Sequence, residues 1–194
     1  DEFNLSVSEE LYASFTGMAT LPICQKLSEV FTLDTTPQTL MASKRKYFKQ
    51  LFEKSEELNL IDGVLELIQH YQQSNLVLVL ASSASTANIN LIFEKFDLNR
   101  YFKAKISGAD LKASKPHPEI FEKAVVLSGV SKTECFVIED ATNGILAAKA
   151  AGLFCVAYDG GHSHGQEYSQ ADRIVTDFES LRIKNLKSFF KNTA

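Results

Sequence analysis

Tryptophan is absent from the 194 residues, and methionine (2), cysteine (3) and proline (4) are scarce. Cys24, Cys135 and Cys155 are odd in number and widely spaced. That excludes a paired disulfide framework and gives no metal-ligand spacing. They read as reduced, buried residues of a cytoplasmic protein. No long hydrophobic run exists: the longest, Leu76 to Ala81, is far short of the ~20 residues that cross a bilayer. The chain opens on no secretory-signal pattern. Positive charge is not in excess, with 20 Lys and Arg against 24 Asp and Glu and a net charge of −4. Nothing therefore points to nucleic acid or to a membrane surface. There is no internal repeat and no low-complexity stretch. The chain is 45% hydrophobic and 23% charged, which is ordinary for a soluble globular protein. Its length suits one sizeable domain, or a domain with an inserted lobe.

The apolar pattern divides the chain in two. Residues 1–58 carry only helical periodicity. Ser8-Glu9-Glu10-Leu11 resembles a helix start, with Leu11, Phe15 and Met18 at helical spacing. Ile23, Leu27, Val30 and Phe31 form a second stripe, and Pro37 opens a third helix. Lys44, Arg45, Lys46 and Lys49 read as a solvated helix face. Residues 59–194 alternate between strands and helices. Strands are expected at Leu76–Ala81, near Ala104–Ser107, at Cys135–Ile138, at Leu153–Tyr158 and near Ile174-Val175. Helices are expected between them and over 181–190. This alternation indicates an α/β fold with a Rossmann-like parallel sheet covered on both faces, and a small all-helical lobe beside it.

Polar residues punctuate the ends of the core strands. Ser82 follows Leu76–Ala81 directly. It fits a plain helix N-cap, and it fits a cradle for a phosphate oxygen at a helix N-terminus. Lys115, before Pro116, is either one more surface lysine or a compact charge suited to a phosphoryl group. Glu139 and Asp140 end the Cys135 strand. Ala141-Thr142-Asn143-Gly144 is expected to be a turn, and an Ala-rich helix should then run to Gly152. The acids fit a helix cap plus a solvated charge, or a site for a hard metal such as Mg²⁺ at the carboxyl end of a sheet.

In this order the three features resemble the haloacid dehalogenase superfamily, in particular its β-phosphoglucomutase-like phosphatases with a helical cap. LVLVLASSAS is similar to the family's second motif, GADLKASKPHPEIF to its third and FVIEDATNGILAAKAAG to its fourth. The resemblance implies a cap domain over 1–58, incomplete at its N-terminus, and an α/β core over 59–194. It implies a Mg²⁺-dependent phosphatase acting on a small phosphorylated metabolite, such as a sugar phosphate, through an aspartyl-phosphate intermediate. Ser82, with Ser83 beside it, would hold the phosphoryl oxygens. Lys115 would neutralise charge, and Glu139 with Asp140 would hold Mg²⁺. The expected partner is that metabolite alone, on a monomer or weak dimer.

One departure is large. The family's first motif, a strand ending in Asp-x-Asp that supplies the nucleophile and the general acid/base, has no counterpart here. Phe31-Thr32-Leu33-Asp34 is the nearest imitation, and Thr32 stands where the nucleophile should be. The nucleophilic strand is expected upstream of these residues. The mutases of the family grip a second phosphate with a cap arginine; Gly17-Met18-Ala19-Thr20-Leu21-Pro22 has none, which favours a phosphatase, although Lys26 or the basic cluster could supply cations instead. A mutase and an inactive phospho-ligand binder stay open as alternatives. Dehalogenation is disfavoured by the acid pair. His162 and His164 are read as loop residues, His117 as a solvent-facing turn residue, Asn143 and Gly144 as shaping the turn, and Asp110 as helping to place the Lys115 loop.

Overall fold

The computed structural model describes residues 2, 3, 5–55, 57–161, 163 and 165–190, with only the backbone of 187–190. His162 and His164 lie outside the described residues. The first part is helical: α1 (Glu9–Ala13), α2 (Thr20–Phe31) and α3 (Pro37–Lys54). Ser8 caps α1 by accepting from Leu11 N at 3.2 Å. Thr36 caps α3, and Pro37 occupies its first turn, where a missing N–H costs nothing. Phe15 and Met18 were expected on the first helix, but α1 stops at Ala13 and a turn leads to Gly17 at φ 80°. Lys44, Arg45, Lys46 and Lys49 are all exposed.

The α/β part runs α4 (Val64–Gln73), β1 (Leu78–Ser82), α5 (Thr86–Lys95), β2 (Phe102–Ser107), α6 (Glu119–Ser128), β3 (Phe136–Glu139), α7 (Thr142–Ala150), β4 (Phe154–Tyr158), β5 (Arg173–Val175) and α8 (Ile183–Phe190). Every pairing is parallel. The sheet is nevertheless in two parts, one ordered β1-β2 and the other β3-β4-β5. Among the described residues β1 and β3 share no ladder.

Side chains join what the ladders do not. Alternate residues of a strand point to opposite faces, so each strand feeds two cores. Val79 and Ala81 of β1, Ile106 of β2, Val137 of β3 and Cys155 and Ala157 of β4 share a core with α6 and α7. On the opposite face Leu78, Phe136, Ile138 and Val156 pack with Leu67 and Tyr71 of α4 and with Leu181 and Leu186. The β1 residues are only half-buried although apolar. All three cysteines are free thiols. Cys155 is fully buried, and that burial pushes its thiol up to about 12. No helix among the described residues is long and apolar enough to cross a membrane.

The start of β4 is fixed by Asp172, which accepts from Lys149 Nζ at 2.7 and 2.6 Å and from Cys155 N at 2.7 Å. Burial pushes the Asp172 carboxyl up. The Lys149 and Cys155 hydrogen bonds outweigh it and hold the group below the usual carboxylate range. Stability from such a group is present above its unfolded pKa and is lost as pH falls through the folded one. Asp172→Asn should cost about 1–2 kcal/mol at pH 7, after discounting for partial exposure. Urea denaturation should show that gap narrowing below about pH 4, the unfolded carboxylate value.

Candidate active site

Lys115 is the hub of the site. It is only 5% exposed. The loop between β2 and α6 carries it to the ends of β1 and β3, and its peptide bond to Pro116 is cis. Its Nζ donates to Ala81 O at 3.1 Å and to the Glu139 carboxylate. The ammonium also lies 4.9 Å from the centre of the Phe121 ring, a favourable cation–π contact. One cation therefore touches the carboxyl ends of both β1 and β3. Of the two readings of Lys115, the surface lysine is excluded.

Ser82 is the last residue of β1, directly after Ala81, and its Oγ accepts from Ala84 N at 3.2 Å. The N-cap of α5 is Ser85, whose hydroxyl accepts from Asn88 N, so Ser82 is not needed as the cap. The Ser83 hydroxyl turns to the helical part and donates to Gly17 O at 2.5 Å. In this structure that hydrogen atom is committed to the carbonyl.

Glu139 and Asp140 are adjacent but unlike. The Glu139 side chain is 10% exposed and pairs with Lys115. Burial pushes its carboxyl up; the Lys115 charge and hydrogen bond oppose this, and the Asp140 charge adds to the rise. A solvated charge therefore describes Asp140 alone, which is exposed. Asp140 Oδ2 accepts from Ser163 Oγ at 2.9 Å, and its backbone oxygen from Tyr168 OH at 3.4 Å. The expected turn at 141–144 is instead the start of α7, whose N-cap is Ala141 with no side-chain cap. Gly144 sits inside that first turn for a steric reason. A Cβ there would overlap the Glu139 carboxylate.

Both acids line a cavity of about 220 Å³, walled by Ile61, Val64, Ile138, Tyr158 and Phe178. Tyr158 and Phe178 stack with ring centres 4.4 Å apart. Among the described residues no group of three or more His, Cys, Asp or Glu could hold a metal. Mg²⁺ is commonly held by one or two carboxylates, with water and phosphate oxygens completing its shell. Glu139 and Asp140 carry hard oxygens of the kind that pattern uses, and both residues line the cavity.

Other expectations fall into place around this hub. Asp110 accepts from Thr86 Oγ1 at 2.5 Å and so ties the loop before Lys115 to the start of α5. His117 is exposed, and its Nδ1 accepts from Glu119 N at 3.2 Å. Ser163, Tyr168, Gln166 and the aromatic pair were not foreseen. The GGHSHG loop was read for its histidines, although its place after β4 puts Ser163 at the carboxyl end of the sheet.

The sequence profile of the haloacid dehalogenase-like hydrolases matches residues 1–158. A β-phosphoglucomutase of Bacillus subtilis is 32% identical over 149 residues, covering 77% of this chain and 63% of that protein. A phosphoglycolate phosphatase of Photorhabdus laumondii is 30% identical over 154 residues, covering 73% of this chain and 64% of that protein. The chain thus spans less than two thirds of the length of either. The crystal structure of CbbY from Rhodobacter sphaeroides, in complex with phosphate, superposes with a TM-score of 0.81. It is 22% identical and covers 95% of this chain and 85% of that one.

The packing of Gly144 on Glu139 yields a direct test. On helix propensity alone Gly144→Ala should stabilise α7 by about 1 kcal/mol. Displacing Glu139 leaves Lys115 buried without its carboxylate, a loss of about 3–5 kcal/mol when a buried pair is broken. The second effect wins, and chemical denaturation should show a net loss of at least about 2 kcal/mol.

Proposed function

The chain belongs to the haloacid dehalogenase-like hydrolase family, and we propose that it forms most of a Mg²⁺-dependent phosphatase for small phosphorylated metabolites such as sugar phosphates. The observation that carries this reading is the Lys115 ammonium, buried between the ends of β1 and β3 and in contact with Ala81 O and Glu139. A cation enclosed at that point, with Ser82 next to Ala81 and Asp140 next to Glu139, suits a doubly charged phosphoryl group. Phosphoryl transfer asks chiefly for positioning and charge neutralisation.

In this reading the Ser82 hydroxyl and the amides that follow it hold the phosphoryl oxygens. Lys115 neutralises charge on the group being transferred. Asp140, with Glu139 behind it, holds Mg²⁺, which supplies Lewis-acid stabilisation of the phosphoryl oxygens when bound. The nucleophilic aspartate lies on an extended segment upstream of these 194 residues, between β1 and β3. The absence of a ladder between those two parallel strands, and the half-burial of apolar β1, support that placement. The helical region 1–58 acts as the cap domain over the core of 59–194. Thr20 stands in a neutral stretch at the start of α2, and that favours phosphate release over isomerisation.

The test is a phosphate-release assay on a panel of small phosphate monoesters, using the polypeptide that carries these residues with its upstream segment. Release should require Mg²⁺. Because Asp140 is exposed, Asp140→Ala should fold normally and lose at least about 100-fold in rate, the scale of a lost electrostatic stabiliser. Undiminished release by that variant would sink the metal assignment. Isomerisation of a sugar phosphate without net release would replace the phosphatase by a mutase.

A further inference from the structure

Asn143-Gly144 is the only Asn-Gly pair in the sequence; every other asparagine precedes Leu, Ile, Arg or Thr. A glycine after asparagine has no side chain to shield its nitrogen, and its backbone turns freely. That nitrogen can attack Asn143 Cγ. A C–N bond forms and closes a succinimide ring, the Cγ–Nδ2 bond breaks, and the proton of the Gly144 amide leaves with the ammonia. Water then opens the ring. Opening at Cγ gives aspartate. Opening at the backbone carbonyl gives isoaspartate, whose main chain runs through Cβ and Cγ and is one atom longer.

Two separate contacts call for this labile pair. Residue 144 must leave room for the Glu139 carboxylate, which a Cβ would overlap. Residue 143 meets Thr16 O with an amide, Asn143 Nδ2 donating at 2.9 Å. The fold that needs the pair also restrains it. Asn143 and Gly144 are the second and third residues of α7. Gly144 N donates to Ala141 O at 3.0 Å, and Ile145 N donates to the same oxygen at 3.0 Å. The attacking nitrogen therefore keeps its proton and lies along the helix, away from Cγ. Asn143 must leave helical backbone before the ring can close, and these hydrogen bonds break when it does. Thr142 N, on the near side of that swing, stays with Gln166 Oε1 at 2.9 Å. The N-cap of α7 is Ala141, with no side-chain cap. Helix ends fray, and one without a capping side chain opens more readily.

We propose that Asn143-Gly144 is a modification site, deamidated by water to aspartate and isoaspartate through local opening of the first turn of α7, and that the product disarms the acids beside it. Aspartate sets an acceptor against Thr16 O in place of a donor. Isoaspartate adds a main-chain atom between Asp140 and Gly144, so Gly144 leaves its place against Glu139, the partner of Lys115. The disarming half rests on the phosphatase reading; the modification does not.

The polypeptide that carries these residues with its upstream segment is aged at mildly alkaline pH, folded in buffer and unfolded in urea. The peptide holding residue 143 is followed by mass, and isoaspartate is read by enzymatic methylation. Both samples should turn the Asn143 amide into an acid. The folded chain should be slower by about 25- to 125-fold, roughly fivefold for each of two or three hydrogen bonds opened. Asn143→Gln, which must close a larger ring, should gain no acid. Asp62-Gly63 and Asp159-Gly160 can isomerise but do not change mass, so they leave the reading clear. Equal rates in the two samples overturn the restraint by α7. Slowing by about 1,000-fold or more, the least that global unfolding imposes, overturns local opening. No acid at residue 143 in either sample overturns the site. Aged protein, separated by its added charge, should lose about 100-fold in Mg²⁺-dependent phosphate release, the scale of a small displacement near the chemistry. An aged fraction as active as the fresh one overturns the disarming. If the fresh protein releases no phosphate, the phosphatase reading and the disarming fall together, and the mass readings alone decide the modification.

Discussion

The contact between Lys115 and Glu139 is the constraint on which the rest of this structure depends. Among the described residues two parallel sheets meet with no ladder between them, and one lysine reaches from a loop to the end of each. Taking two charges out of water costs several kcal/mol, and their mutual attraction offsets that only where further hydrogen bonds complete the shell. Here the Ala81 carbonyl and the face of Phe121 complete it for Lys115. Replacing such a pair with apolar side chains is often harmless to stability. On the proposed reading, the place of this pair where two strands end serves the chemistry.

That pair dictates what surrounds it. Glu139 can reach Lys115 only if α7 begins directly beneath it, and α7 can begin there only if the third residue of its first turn lacks a side chain. Gly144 meets that condition at a helix-propensity cost of about 1 kcal/mol. Asn143, one residue earlier, is then fixed in direction and reaches the turn at Thr16. A single buried ion pair thus sets the start of one helix and, through that helix, the approach of the helical region to the sheet ends.

What could be read from the sequence, and what could not, follows from the range of each interaction. The strand ending at Ser82, the strand ending at Glu139 and the helix after Pro118 are local patterns of apolar period and punctuation, and they appear within a residue or two of where the pattern put them. The start of α7 was placed late because Gly144 looks like a turn residue, and its actual reason is a carboxylate five positions back. The first helix was drawn too long because Phe15 and Met18 keep helical spacing. The chain instead leaves the helix at Ala13 in tighter turns, Phe15 N donating to Tyr12 O and Thr16 N to Ala13 O, and distant side chains bind the carbonyls of Ala13, Thr16 and Gly17. The division of the sheet was not legible in the apolar pattern, since alternation of strands and helices says that strands are parallel and not which of them pair; only the missing first strand of the resemblance, central in that family's sheet, pointed to it. Ser163 and Gln166 were hidden in a loop whose histidines drew attention.

Adjacent acids at a strand end are often treated as one feature, but strand geometry makes them two. Successive side chains leave a strand on opposite sides. Glu139, still within β3, turns inward to Lys115 and Gly144, while Asp140, just past it, faces outward to Ser163. Burial raises the first carboxyl and leaves the second in water. A metal drawn to this pair would meet one carboxylate already shared with a cation and one that, among the described residues, accepts from a serine hydroxyl. The second is the easier to take up, because releasing a hydroxyl costs far less than unpairing a buried lysine. The order of the two acids along the chain therefore separates them: Glu139 completes the interior, and Asp140 is the exposed acid at the cavity.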